Sequence, residues 1–168
     1  MHIDRNGLRP IVNMEGMRCF ACGADNPVGL HMDFLTDGER VCSFVAVPPG
    51  MAGWGRTAHG GILSTMLDEI MCWAIIYLLG KMAVTQSMRV EFVKPVQVEQ
   101  ALTVIGAIGR VDGRRVTVNG EIRGPDDALC VRAEGIFAAM PAPTAVRTGV
   151  MSQSEMERFL PVLRQRET

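Results

Sequence analysis

A chain of 168 residues with a formal net charge of -1 and a pI near 6.3 has room for one domain with a substantial core and is short for two. The near-neutral balance excludes a global basic field of the kind that holds nucleic acid or an anionic membrane, so any charged ligand must be met by local groups. Twelve methionines against an aromatic share of 5% point to a core of aliphatic and thioether side chains, which suits a pocket for flexible acyl groups.

His2, Asp4, Arg5, Arg9 and Glu15 scatter charge over the N-terminal stretch. No continuous apolar h-region is present there, so a cytoplasmic rather than a secreted location is expected. The longest apolar run, residues 70–79, is about half of the ~20 residues that cross a bilayer, and no membrane partner is expected. Five cysteines, at 19, 22, 42, 72 and 130, make an odd count. Three of them sit in apolar stretches, where a reduced thiol acts as a small hydrophobe.

Residues 1–30 are rich in Gly, Pro and Asn and predict an irregular lead-in to a domain over 31–140. Residues 31–35 and 40–47 read as two strands joined around Asp37-Gly38, a pair that favours a tight hairpin. A turn-rich connection over 48–58 ends at His59-Gly60-Gly61. The stretch ILSTMLDEIMCWAIIYLLGK then predicts a helix of roughly five turns that ends near Gly80. It is apolar almost all round, so protein must wrap it on most sides.

Four further strands are expected over 84–94, 101–110, 114–123 and 128–138, punctuated by Pro95, Asp112-Gly113 and Gly124-Pro125-Asp126-Asp127. Residues 141–168 form a linker and a short tail helix, opened by a capping box at Ser152 and Glu155 and running to about Arg164. The order predicts an α+β fold, an antiparallel sheet of about five to six strands wrapped around one long buried helix. Such a sheet leaves edges and part of the helix uncovered, so a homodimer or larger oligomer is the expected state.

Asp68 and Glu69 interrupt the apolar helix, where burying a carboxylate costs several kcal/mol unless it is hydrogen-bonded or neutralised. Gly61, Ser64 and Asp68 share one face, while Glu69 points about 100° away with Thr65, Met66 and Trp73. Asp68, with small polar neighbours and room for a water, is the favoured catalytic carboxylate. The competing reading is an ion pair at an interface, for instance with Arg89.

His59-Gly60-Gly61 offers backbone N–H groups at the positive end of the helix, where an anion or a developing oxyanion is stabilised; the plainer reading is a flexible turn. Gly61 and Asp68 are seven positions apart, on the order of 10 Å along a helix. One reacting carbonyl would not easily touch both. Two such helices packed antiparallel about a two-fold axis would bring the amides of one to the carboxylate of the other.

The stretch AHGGILSTMLDEIMCWA, followed by VTQSMRVEFVKPV, resembles the hot-dog acyl-CoA thioesterases of the phenylacetate-degradation (PaaI-like) type. These carry an HGG turn, an Asp nine residues after its His and a strand ending in Pro, and the similarity runs over residues 19–139. The resemblance implies hydrolysis of an acyl-CoA thioester by a homodimer, possibly a dimer of dimers, without a cofactor. Gly60 or Gly61 would polarise the carbonyl, Asp68 of the neighbouring protomer would act as nucleophile or general base, and Thr85 would position water.

His59, Gly60 and Arg114 are the expected substrate-binding residues, with Arg114, after Gly113, a candidate for a coenzyme A phosphate. Related enzymes often have Asn six residues before the His, where this chain has Gly53. Two other functions stay open: a non-catalytic acyl-CoA binding or sensing module, and an enoyl-thioester hydratase, although that group resembles a D-x-x-x-x-H pattern and the order here is His then Asp. Cys19-Phe20-Ala21-Cys22-Gly23 has the spacing of half a zinc site, which would take His31 as a third ligand and borrow Cys42 or His2 as a fourth, or of a redox pair. It is read here as a structural turn without metal.

Overall fold

The computed structural model describes residue 3 and residues 7–167. Helix α1 (Gly60–Leu79) organises the rest. His59 caps its start in an extended conformation, its Nδ1 accepting the Gly61 N–H at 3.0 Å, which satisfies one of the unpaired amides of the first turn. Gly80 ends it in the left-handed region at φ 60°, a conformation that suits a residue without a Cβ. Residues 73–78 are buried without a break.

With 20 residues, α1 is long and apolar enough to cross a bilayer by length and composition. The expectation that it falls short rested on residues 70–79 alone. Its apolar surface instead meets protein. One side lies against the sheet; the other is covered by the N-terminal segment, through Ala21, Cys22, Leu30 and Met32, and by the tail helix.

Among the described residues the sheet has seven antiparallel strands: β1 (Arg9–Ile11), β2 (Phe34–Thr36), β3 (Arg40–Val45), β4 (Met82–Phe92), β5 (Leu102–Asp112), β6 (Arg115–Arg123) and β7 (Leu129–Met140), in the order β1-β2-β3-β5-β6-β7-β4. The expected five to six strands are therefore corrected to seven. The added one is β1, whose Arg9 pairs with Thr36; three residues around a proline leave no alternation to read. His31 is in a left-handed conformation at φ 50°, so β2 begins at Phe34 rather than at 31. Along β6, Val116, Val118, Gly120 and Ile122 are buried in strict alternation, the signature of one face on a core.

The helix can approach the sheet because residues facing it lack side chains. A Cβ on Gly106 of β5 would stand 2.6 Å from the Ile70 carbonyl oxygen, and one on Gly135 of β7 would stand 3.0 Å from Met71 Cε. After β7, α2 (Ala142–Arg147) and α3 (Gln153–Arg164) follow, and Ser152 and Glu155 form the expected capping box. Phe159 of α3 meets Trp73 edge-on at 6.3 Å, and Trp73 stacks on Phe34 at 4.5 Å, tying tail, α1 and sheet into one core. At the far edge, β4 has a free side along which Val84, Thr85, Gln86, Ser87 and Phe92 are exposed.

Gly106→Ala is expected to lower stability by about 1–3 kcal/mol, the usual range for overpacking against a fixed backbone. Gly50→Ala, where an added Cβ meets nothing within 4 Å, is expected to stay within about 0.5 kcal/mol. Urea denaturation of the two variants beside the parent measures both.

Candidate active site

Two elements build the site. On α1, Asp68 is half-buried; on β4, Thr85 is exposed and its Oγ1–H donates to Asp68 Oδ1 at 2.6 Å. Thr85 sits where the β4–β7 register slips, pairing with Phe137 while Ser87 pairs with Ile136. A bulge of this kind re-aims side chains on an edge strand. The bond uses one carboxylate oxygen and the only hydroxyl proton, leaving the second carboxylate oxygen and the threonine lone pairs to meet a water.

Glu69 lies on the neighbouring face, as the helical spacing predicts. Its Oε1 accepts the Trp73 Nε1–H at 2.9 Å, and Cys19 Sγ stands 3.8 Å from each of its oxygens. Burial, and then the adjacent Cys19 sulfur, push the Glu69 carboxyl up to about 7. A hydrogen bond from the Cys22 thiol, with help from the Ala21 and Cys22 amides, holds Cys19 down at about 5. The same hydrogen bond, together with burial, raises Cys22.

Among the described residues neither Asp68 nor Glu69 is ion-paired with Arg89, so that alternative is not realised within the chain. The partners considered for Cys19 and Cys22 change as well. His31 is not in their group, Cys42 donates to the Leu35 carbonyl at 3.6 Å, and Glu69 takes the third position. His2 lies outside the described residues.

At the start of α1 the two glycine amides differ. The Gly61 N–H is held by His59 Nδ1, while among the described residues nothing accepts the Gly60 N–H. A groove of about 270 Å³ runs past Gly60, lined by Thr57, Leu63, Phe92, Lys94 and Val96. Phe92 is the residue that spacing did not single out: its ring edge lies 3.4 Å from the place of a Gly60 Cβ. At Gly53 an added Cβ would meet the exposed His59 at ordinary contact distances of 3.4–3.7 Å, so a side chain fits there and its absence leaves the imidazole open.

Arg114 follows Gly113, which turns β5 into β6 at φ 59°. It lines a second groove, of about 410 Å³, with Gln86, Arg115, Thr144 and Thr148. Gln86 follows Thr85 on β4, but neither Asp68 nor Thr85 lines this groove. Gly60 and Asp68 remain two turns apart on one rigid helix. The chain thus brings Asp68 and Thr85 together and keeps His59, Gly60 and Gly61 away from them.

Residues 55–131 match the model that defines the thioesterase superfamily. An uncharacterised protein of Schizosaccharomyces pombe is 28% identical over 92 residues, covering 52% of this chain and 53% of its own. Among solved structures, the thioesterase superfamily protein RHA08564 is 28% identical with a TM-score of 0.67, covering 72% of this chain and 60% of its own. The E. coli PaaI protein from the phenylacetic acid degradation operon is 18% identical at a TM-score of 0.60, covering 66% of this chain and 80% of its own. A hypothetical thioesterase of Streptococcus pneumoniae, solved with coenzyme A, is 20% identical at 0.58, covering 62% and 80%. This chain therefore spans less than two thirds of the S. pombe relative and of RHA08564.

Proposed function

We propose, since the chain belongs to the hot-dog thioesterase superfamily, that it hydrolyses acyl-CoA thioesters of the kind handled by PaaI-like enzymes, with Asp68 as the general base. The observation that carries this reading is the 2.6 Å bond from Thr85 to Asp68. A carboxylate steadied on one oxygen by a hydroxyl, half-buried on a rigid helix, is equipped to take a proton from a water held beside that hydroxyl. The water attacks the thioester carbonyl as its proton passes to Asp68, and the carbon–sulfur bond then breaks with that proton going to the departing thiolate, which releases free acid and coenzyme A and restores the carboxylate.

The carbonyl oxygen gains charge during attack and needs a preorganised donor. The Gly60 N–H fits this role: it is the free amide of the first turn, beside the apolar groove at Phe92 that would receive the acyl group. Rotation of the His59 ring frees the Gly61 amide for the same oxygen. Gly60 and Asp68 are on the order of 12 Å apart along the helix axis, so the reading requires the amide of one subunit and the carboxylate of another. The open side of the eleven-residue strand β4, exposing Val84 and Phe92, supports a homodimer formed at that edge. In this arrangement Arg114 meets a coenzyme A phosphate in the groove beside Gln86. The five free cysteines support a reducing, cytoplasmic setting.

Thiol release from short, medium, long and aromatic acyl-CoA esters tests the activity. Asp68→Asn is expected to lower turnover about 10²- to 10⁴-fold, the range of general-base catalysis, with the fold retained. Thr85→Ala is expected to cost about 10- to 100-fold, as one hydrogen bond to a charged group. Binding of acyl-CoA by wild type without thiol release would favour the sensing module, and wild-type turnover in Asp68→Asn would remove Asp68 from the chemistry. Arg114→Ala should raise KM for coenzyme A esters about 10-fold, as one charge-assisted contact. Short thioesters lacking the nucleotide should be unaffected; equal losses would remove the phosphate role.

A further inference from the structure

On the face of α1 next to that of Asp68, two thiols and a carboxylate converge inside an otherwise apolar neighbourhood. Cys19 Sγ, Cys22 Sγ and a Glu69 oxygen all lie within 4.8 Å of one another. Cys19 Sγ is the same 3.8 Å from both Glu69 oxygens, a placement that no single S–H···O bond requires. Donors on a tetrahedron around zinc, with Zn–S about 2.3 Å and Zn–O about 2.0–2.2 Å, sit roughly 3.5–3.8 Å from each other. The Cys19–Glu69 pair has that spacing, and all three donors lie close enough for one ion to draw them together.

Each donor is held from behind. Trp73 Nε1–H fixes the Glu69 carboxylate at 2.9 Å, and the indole is itself locked between Phe34 and Phe159, the kind of outer contact that orients a ligand. The cysteine loop is closed by the Gly23 N–H on the Cys19 carbonyl at 3.0 Å and tied down by Leu30 on Phe20 and Met32 on Ala21. Only glycine fits at 23, where a Cβ would stand 2.5 Å from Cys19 N and 2.6 Å from Met17 O. Burying an acidic group beside two thiols is costly without a counter-charge, and a divalent cation supplies one.

We infer that Cys19, Cys22 and Glu69 form a zinc site that fastens the N-terminal segment onto α1. Two thiolates with one carboxylate form a borderline-soft donor set that favours zinc over magnesium or calcium. Half-buried Cys19 gives an ion a way in, and a fourth ligand comes from solvent. The site departs from the sequence expectation of a metal-free turn, because the third donor comes from α1, 47 positions beyond Cys22, rather than from His31. It stands independently of the hydrolase reading.

Titration of the reduced, metal-stripped full chain with Co²⁺ tests it. The expected result is a thiolate-to-metal charge-transfer band that saturates at one ion per chain and is displaced by Zn²⁺. Cys19→Ser and Cys22→Ser should each abolish the band and Cys42→Ser should retain it. Glu69→Gln, which keeps the shape of the side chain, should weaken binding by about 10-fold or more. Zn²⁺ should also raise the melting temperature of wild type and do so less in Glu69→Gln. No band with all thiols titrating as free, a band that survives Cys22→Ser, or equal affinity in Glu69→Gln would each overturn the proposal; should a serine variant unfold, the Glu69→Gln comparison still decides.

Discussion

The packing of one apolar helix against a sheet of matching shape is the constraint on which the remaining structure depends. α1 has no wet face over its second half, so the chain must supply cover on every side: the sheet beneath, the cysteine loop and α3 above. Close seating at Gly106 and Gly135 leaves little freedom for the helix to slide or rotate. That rigidity is what makes its polar residues useful. Asp68 and Glu69, adjacent in sequence, are delivered to two different faces and two different environments. One meets a threonine at an exposed sheet edge, the other an indole and two sulfurs in the covered layer.

The same rigidity separates the two ends of the proposed chemistry. A free amide opens the helix at Gly60, and the carboxylate lies two turns on. No side-chain rotation closes that gap, so a complete site needs a second helix. The unpaired β4 edge next to Thr85 is where a second copy would lie. On this account oligomerisation is part of catalysis, and the strand left open by the sheet is the surface that completes it.

Much of this was legible in the chain. The helix announced itself by its nearly all-round apolar character and its Gly80 stop, the four long strands by the turn residues that punctuate them, and α3 by its capping box. The division of Asp68 from Glu69 followed from the 100° step of a helix. Other features were silent for physical reasons. β1 is too short, and too close to Pro10, to show a period. The Thr85 bulge depends on register with β7, which no local pattern encodes. The Glu69 partnership with Cys19 and Cys22 is a long-range contact made by chain reversal, and short-range ligand spacing pointed to His31 instead. Capture of the Gly61 amide by His59 is a local cap, yet His is not among the residues preferred for capping.

The claim that the site is shared between subunits has a direct test in mixed oligomers. Gly60 is the first residue of α1, preceded by an extended His59. Proline is tolerated at that position: it removes the amide hydrogen, and its added Cβ meets Phe92 at an ordinary contact distance of 3.4 Å. Gly60→Pro and Asp68→Asn should therefore each fold and each be nearly inactive, for different reasons. The decisive measurement is thiol release after the two variants are unfolded together and refolded as a mixture. Random pairing in a two-fold dimer, with one intact composite site in each mixed pair, predicts recovery to about a quarter of wild-type turnover. A mixture no more active than its parents, with subunit exchange verified, would contradict a site built from two subunits.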